Sequence, residues 1–216
     1  MISKQLALDV INYATSTGAD FAEIFYEDST SKVITVENDK VDSVNSSNIN
    51  GVGLRLLKGT KSVYGSTSDL SRKSLIALAE TLAKYFEGKR VLEKITGFTK
   101  VPVKRIHKKY TSVFSVSIQD VIENLKKTNY IVKNYSAEVR KSNATMIMKE
   151  SKIVIFNSDG KTYSDNKEYG RLALQSIAGN EKGIQAKFDG PGAQGGWEFF
   201  TNQLNIEELA KKHAEK

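Results

Sequence analysis

Four short polar turns punctuate this chain, each set between runs of β-forming residues. They are Glu37-Asn38-Asp39-Lys40, Lys58-Gly59, Asn157-Ser158-Asp159-Gly160 and Asn180-Glu181-Lys182-Gly183. Asn, Asp and Gly tolerate the positive φ that tight hairpins require, so each turn commits its flanks to antiparallel pairing. Strand segments are expected at Phe21–Tyr26, Val33–Val36, Val41–Val44, Gly51–Leu57 and Ser62–Ser66 in the first half. In the second half they are expected at Ala137–Arg140, Thr145–Met148, Ile153–Phe156, Tyr169–Ile177 and Gly183–Phe188.

Helical periodicity brackets these strands. Ile2, Leu6, Val10 and Ala14 form an apolar stripe with Ser3 as cap and Gly18 as terminator. Leu75, Leu78, Ala79, Leu82 and Phe86 form a second stripe ended by Gly88, with a cap in Ser66-Thr67-Ser68-Asp69. Ser117 caps a third helix with Ile118, Val121, Ile122 and Leu125. Asn205 opens a fourth, with Glu208 as its capping-box partner. The predicted class is α+β, built as two helix–antiparallel sheet–helix units. The expected division is residues 1–88, a basic connector at 89–116, and 117–216 cut short in its last helix. Ala22-Glu23-Ile24 against Ala137-Glu138-Val139, and a 13-residue step from Asn38 to Gly51 and from Asn157 to Gly170, keep a diverged repeat and two unrelated units both open.

Composition matters chiefly for what it excludes. Zero cysteines remove disulfides, thiolate zinc sites and thiol nucleophiles. The two histidines, His107 and His213, lie too far apart for a local metal motif; His213 reads as a helix-surface residue and His107 as part of the connector. No apolar run reaches membrane-spanning length and no signal-peptide core forms, so a cytoplasmic chain is expected. The charge of +7 is concentrated: residues 89–152 hold 15 basic and 5 acidic groups, densest at Lys100–Lys109. A phosphate-contacting stripe and a solvated linker both fit. Lys dominates over Arg and no nucleic-acid motif accompanies it, so nucleic acid is the weakest partner reading.

The most unusual segment is Gly190-Pro-Gly192-Ala-Gln-Gly195-Gly196-Trp197-Glu198-Phe199-Phe200. It lacks the Gly-Lys-Ser/Thr ending of a P-loop, and aromatics follow where a phosphate site would start a helix. A mobile or close-packed loop beside a binding groove fits better, with a plain surface loop as the alternative and Gly192, Gly195, Gly196, Trp197 and Glu198 as candidate contacts. Arg55, after the glycine pair Gly51 and Gly53, is a candidate carboxylate binder or an outward strand residue. Ser66–Asp69 lacks a paired histidine, and Asp165 with Glu168 is a chance spacing among 25 acids. No self-sufficient catalytic site is legible.

Taken in order, Gly18-Ala-Asp-Phe-Ala-Glu23, Gly51–Leu57, Ser66–Leu70, Asn157–Gly160 and Gly192–Phe199 resemble the TldD/PmbA family, described as modulators of DNA gyrase and as zinc-dependent peptidases. The Gly-Gly-aromatic-Glu run is similar to the metal-carrying TldD branch rather than to its metal-free PmbA (TldE) partner. The resemblance implies a zinc peptidase acting on unstructured peptides inside a homodimer or a TldD–TldE-type heterodimer. It also implies that zinc is held by His-Glu-x-x-x-His and a cysteine in a C-terminal β-rich domain beyond Lys216. These 216 residues would then be a peptide-binding scaffold, inactive alone and without a cofactor of their own. A non-catalytic peptide- or partner-binding module is the second reading.

Overall fold

The computed structural model describes residues 1–103 and 110–215. The helix α1 spans Lys4–Ala14, with Ser3 Oγ accepting from Leu6 N–H at 3.1 Å. The long strands β1 (Phe21–Glu37) and β2 (Lys40–Lys58) follow, then β3 (Lys61–Thr67) and α2 (Arg72–Ala83). A two-residue strand β4 (Thr99–Lys100) precedes α3 (Ile118–Lys133). The chain continues through β5 (Val139–Asn157), β6 (Lys161–Asn180), β7 (Gly183–Asp189) and β8 (Gly192–Ala193), a π turn at Phe199–Gln203, and α4 (Ile206–Ala214). The strands share one sheet in the order β3-β2-β1-β5-β6-β4, with β7 and β8 also on β6. Where registers are defined, pairing is antiparallel except between β4 and β6. The class is α+β, as the turns and stripes predict.

The expected short strands correct to four long ones. Asp28–Lys32 and Lys149–Lys152 are polar and fall between the expected strands, yet the strands run through them without a break. Backbone pairing does not depend on side-chain polarity, and the polar groups here find lateral partners. The Ser29 and Ser151 hydroxyls lie 2.8 Å apart beside the Glu27 carboxylate. Ala137 sits just outside β5. α1 and α2 end four and five residues before Gly18 and Gly88, respectively. The α2 cap is Ser71, whose Oγ accepts from Ser74 N–H, while Asp69 Oδ1 accepts from Ser71 N–H. Several hydroxyls compete in that stretch, which hides the true cap from a sequence reading.

Contacts divide the chain into two compact units whose segments interleave. Unit 1 comprises residues 1–29, 49–105 and 151–166. Its core packs Val10, Ile11 and Ala14 of α1 and Leu75, Ala79 and Leu82 of α2 against Ala22, Ile24, Tyr26, Leu54 and Leu56. Alternation on the strands and i, i+3, i+4 spacing on the helices bring these faces together. At the start of the basic connector Arg90 and Ile95 are fastened to α1 and its end, while Lys89, Glu93 and Lys94 stay exposed. Asn12 exchanges two hydrogen bonds with the Ile95 backbone, at 2.9 and 3.0 Å, and Arg90 donates to Thr15 Oγ1 and to the Asn12 carbonyl. Lys104–Lys109, with His107, and Lys216 lie outside the described residues.

Unit 2 comprises residues 30–48, 106–150 and 167–216. Its core joins Val121 and Leu125 of α3 to Ile34 and Val36, Ala144, Met146 and Met148, Leu172 and Leu174, and Phe200. Ile118, expected on that stripe, is 40% exposed at the helix start. The β1–β2 turn has both central residues left-handed, Asn38 at φ 46° and Asp39 at φ 66°, as a two-residue hairpin of matching twist demands. Asn129 of α3 holds this turn, its Oδ1 accepting from Asp39 N–H at 2.8 Å.

Candidate functional site

The glycine-rich segment folds back along β6. Gly170 pairs with Ala193 and Arg171 with Gly192, and Leu172 N–H donates to the Pro191 carbonyl at 3.0 Å. The approach is close: a Cβ on Gly192 would stand 2.9 Å from the Gly170 carbonyl oxygen. Phe200 is buried and its ring fills the space a Gly170 side chain would take, with Phe199 edge-on at 5.1 Å between centroids and Trp197 at 5.8 Å. The aromatics therefore anchor the segment from beneath.

Glu198 has a local job. Its carboxylate accepts from Thr111 N–H at 2.9 Å and from Thr111 Oγ1 at 2.5 Å, while Trp197 N–H donates to the Thr111 carbonyl at 2.9 Å. The Thr111 hydroxyl above all, aided by backbone N–H groups, holds the Glu198 carboxyl below the usual carboxylate range. Gly196 is pinned in the same contact, since a Cβ there would meet the Thr111 carbonyl oxygen at 2.4 Å. Gly195 faces open space.

Above the paired strands lies a groove of about 340 Å³, lined by Ile147, Lys149, Tyr169, Gly170, Arg171, Gly192, Ala193 and Gln194. Arg171 is oriented by the Gly190 carbonyl, 3.1 Å from its Nε, and by the Phe188 ring 5.4 Å from its guanidinium. Of the six candidates read from sequence, Gly192 borders this groove. Gly195, Gly196, Trp197 and Glu198 belong to the segment that builds it. Arg55 belongs to unit 1 and pairs with Glu23 at 3.2 Å. Tyr169, Arg171 and Ile147 were missed, although alternation on β5 and β6 puts exposed apolar and cationic side chains on an outward face.

A second constellation corrects the reading of His213. This residue is buried, 1% exposed, and not on the helix surface. Its Nε2 lies 2.9 Å from Ser176 Oγ and its Nδ1 2.7 Å from Asp189 Oδ2. A carboxylate can only accept, so the Nδ1–H donates to Asp189, and Nε2 meets the serine hydroxyl. The order hydroxyl, imidazole, carboxylate is that of a hydrolytic triad. The groove does not border Ser176, and the His213 side chain is wholly enclosed, so the array fastens α4 onto β6 and β7. Glu168, set aside as a chance neighbour of Asp165, is also buried and accepts from Val113 N–H at 3.2 Å.

Among the described residues the donor set does not fit a zinc centre. The chain has no cysteine, both nitrogens of His213 are engaged, and no cluster of three or more metal-binding side chains occurs among the described residues. Nor is any described helix long and apolar enough to cross a membrane.

Family models match at two places, PmbA/TldA metallopeptidase domain 1 at residues 22–85 and the PmbA/TldA metallopeptidase central domain at residues 112–216. The chain belongs to the PmbA/TldA (TldD/PmbA) metallopeptidase family. It is 20% identical over 188 residues to a metalloprotease TldD homolog of Buchnera aphidicola, covering 85% of this chain and 38% of that protein. Its fold matches a candidate modulator of DNA gyrase from Bacteroides thetaiotaomicron with a TM-score of 0.76 and 19% identity, over 100% of this chain and 50% of the other. TldE of Thermococcus kodakarensis matches with a TM-score of 0.68 and 15% identity, over 98% and 47%. The chain thus spans half or less of the length of these relatives.

Proposed function

We propose that these 216 residues form the peptide-binding scaffold of a TldD-like zinc metallopeptidase that degrades unstructured peptides, and that they do not hydrolyse peptides alone. The observation that carries this reading is the groove over Gly170, Arg171, Gly192 and Ala193, beside which no cluster of three or more metal-binding side chains occurs among the described residues. An extended peptide would lie across the outward sheet face. Tyr169 and Ile147, 40% and 36% exposed, would cover its apolar side chains, and the Arg171 guanidinium would meet its carbonyls or an acidic side chain. Zinc chemistry would be supplied by residues other than these. The working assembly would be a homodimer or a TldD–TldE-type heterodimer in the cytoplasm. Nucleic acid is not the partner this groove fits, since it presents one arginine and one lysine rather than a basic stripe.

The test is fluorescence anisotropy with a labelled, unstructured peptide of about ten residues. Binding should weaken about tenfold in Arg171→Glu, the loss of one charge-assisted contact and its reversal. Equal binding by wild type and Arg171→Glu removes the groove from the reading. Zinc-dependent cleavage by this chain alone contradicts the scaffold role.

The second reading is a peptide- or partner-binding subunit of the TldE type. The fold likeness to TldE supports it, and the same peptide titration with a metal-bearing partner added decides between them.

A further inference from the structure

Strand β7 is a free edge of the sheet in unit 2. Among the described residues it pairs with β6 and with no other strand, so one of its two rows of backbone N–H and C=O groups lacks a ladder. Native proteins blunt such edges with Pro, bulges or outward charge, because an unpaired row recruits another strand. β7 has no Pro. Its register with β6 runs from Asn180↔Gly183 to Leu174↔Asp189 without a bulge.

The two faces of β7 differ. Gln185, Lys187 and Asp189 share the side on which His213 fastens α4, and Lys187 Nζ lies 3.9 Å from Asp189 Oδ1. Ile184, Ala186 and Phe188 alternate onto the opposite side. All three are exposed, Ile184 at 67% and Phe188 at 55%. The edge therefore combines unused backbone hydrogen-bonding groups with an uncovered apolar stripe.

The order of the residues selects what fits there. A two-fold axis perpendicular to a sheet joins two copies of one edge strand antiparallel and keeps each face on its own side. Such an axis passes through a residue position. Centred on Ala186, it sets all seven residues of β7 against seven of a second copy. Ile184 then faces the second copy's Phe188, Phe188 faces its Ile184, and Ala186 meets Ala186 between them. An aromatic opposite a β-branched side chain is a favourable cross-strand pair. On the other face Gln185 meets Lys187, whose charge Asp189 already answers. Moving the axis spoils the match. At Lys187 it opposes two ammonium groups, and at Gln185 it leaves Phe188 and Asp189 beyond the end of the facing strand.

We infer that unit 2 binds a second copy of this chain by antiparallel β7–β7 pairing about an axis at Ala186, which joins the two sheets into one. The contact is isologous and closes at two copies, since each chain has one β7. It spans about 24 Å of strand, a small interface that makes the dimer weak and concentration-dependent. The inference gives a surface to association between copies, and it does not rest on peptide binding at the Arg171 groove.

Sedimentation velocity of the 216-residue chain from about 5 to 500 µM should show the mean mass rising from 24.0 kDa towards twice that value. Ala186→Lys puts like charges face to face from an exposed position; it should weaken association at least about tenfold and melt as wild type does. The chain has no cysteine, so single thiols report the register. Directly opposite residues stand about 4.5 to 5.5 Å apart at Cα, within disulfide reach. In oxidised glutathione, Ala186→Cys should form a covalent dimer at least about fivefold faster than Ile184→Cys, whose two copies would lie about 14 Å apart. A mixture of Ile184→Cys and Phe188→Cys should cross-link one variant to the other. Four results overturn the inference: a monomer at every concentration, association unchanged in Ala186→Lys, growth beyond the dimer, or equal cross-linking of Ile184→Cys and Ala186→Cys. None of these readouts involves a peptide, so their failure leaves the scaffold reading to its own test.

Discussion

His213 Nδ1 lies 2.7 Å from Asp189 Oδ2, joining the last helix to the end of β7. Ser176 completes the chain of hydrogen bonds from near the C-terminal end of β6. The imidazole is enclosed, so truncating it leaves a cavity and strips the buried Ser176 hydroxyl and the part-exposed Asp189 carboxylate of a partner.

His213→Ala should lower stability by about 2 to 4 kcal/mol, and amide exchange in Ile206–Ala214 should accelerate beyond that in α1. Ser176→Ala removes one hydroxyl and should lose about 1 kcal/mol. Thermal melts with hydrogen exchange measure both. Unchanged protection of the last helix in His213→Ala would show that the array is not its fastening.

A second test concerns Glu198 and Thr111. The folded carboxyl is held below the 4.5 of an unperturbed glutamate, so the folded state binds this proton less readily than the unfolded state. Its contribution to stability is therefore fully present above that value and is lost as pH falls through the lower, folded one. The melting-temperature gap between wild type and Glu198→Ala should be steady from pH 8 to about 5 and close as the solution becomes more acid. A gap independent of pH down to about 2 would mean that the charge of Glu198 does not contribute.

Two adjacent glycines give a paired comparison. Gly196→Ala would drive a methyl to within 2.4 Å of the Thr111 carbonyl oxygen, whereas Gly195→Ala finds nothing within 4 Å. Gly196→Ala should lose about 1 to 3 kcal/mol, and Gly195→Ala should stay within about 0.5 kcal/mol of wild type. Urea melts of the two variants decide it; equal losses would mean that the segment is not packed as described.

Local signals carried well from sequence to structure. Ser3, Ser117 and Asn205 cap their helices, with side-chain oxygens accepting from Leu6, Asp120 and Glu208 N–H. The left-handed pair Asn38 and Asp39 turns where it was expected to. Each of these is decided within four residues. What was not legible depends on distant partners. His213 looks like a surface residue because its two partners lie 37 and 24 positions away. The continuity of β1 and β5 was hidden because Ser29 and Ser151 satisfy each other across 122 positions. The same holds for the candidate site. The unusual glycine and aromatic residues lie in the segment that builds the candidate groove, while Tyr169 and Arg171 on a neighbouring strand line it.

Photo-crosslinking tests the central claim most directly. An unstructured peptide bearing a benzophenone residue would be irradiated with the chain and the adducts located by mass spectrometry. The scaffold reading predicts labelling concentrated at Tyr169–Arg171 and Gly192–Gln194, competed away by unlabelled peptide and reduced in Arg171→Glu. Labelling that spares both segments, or that unlabelled peptide does not compete, would contradict it.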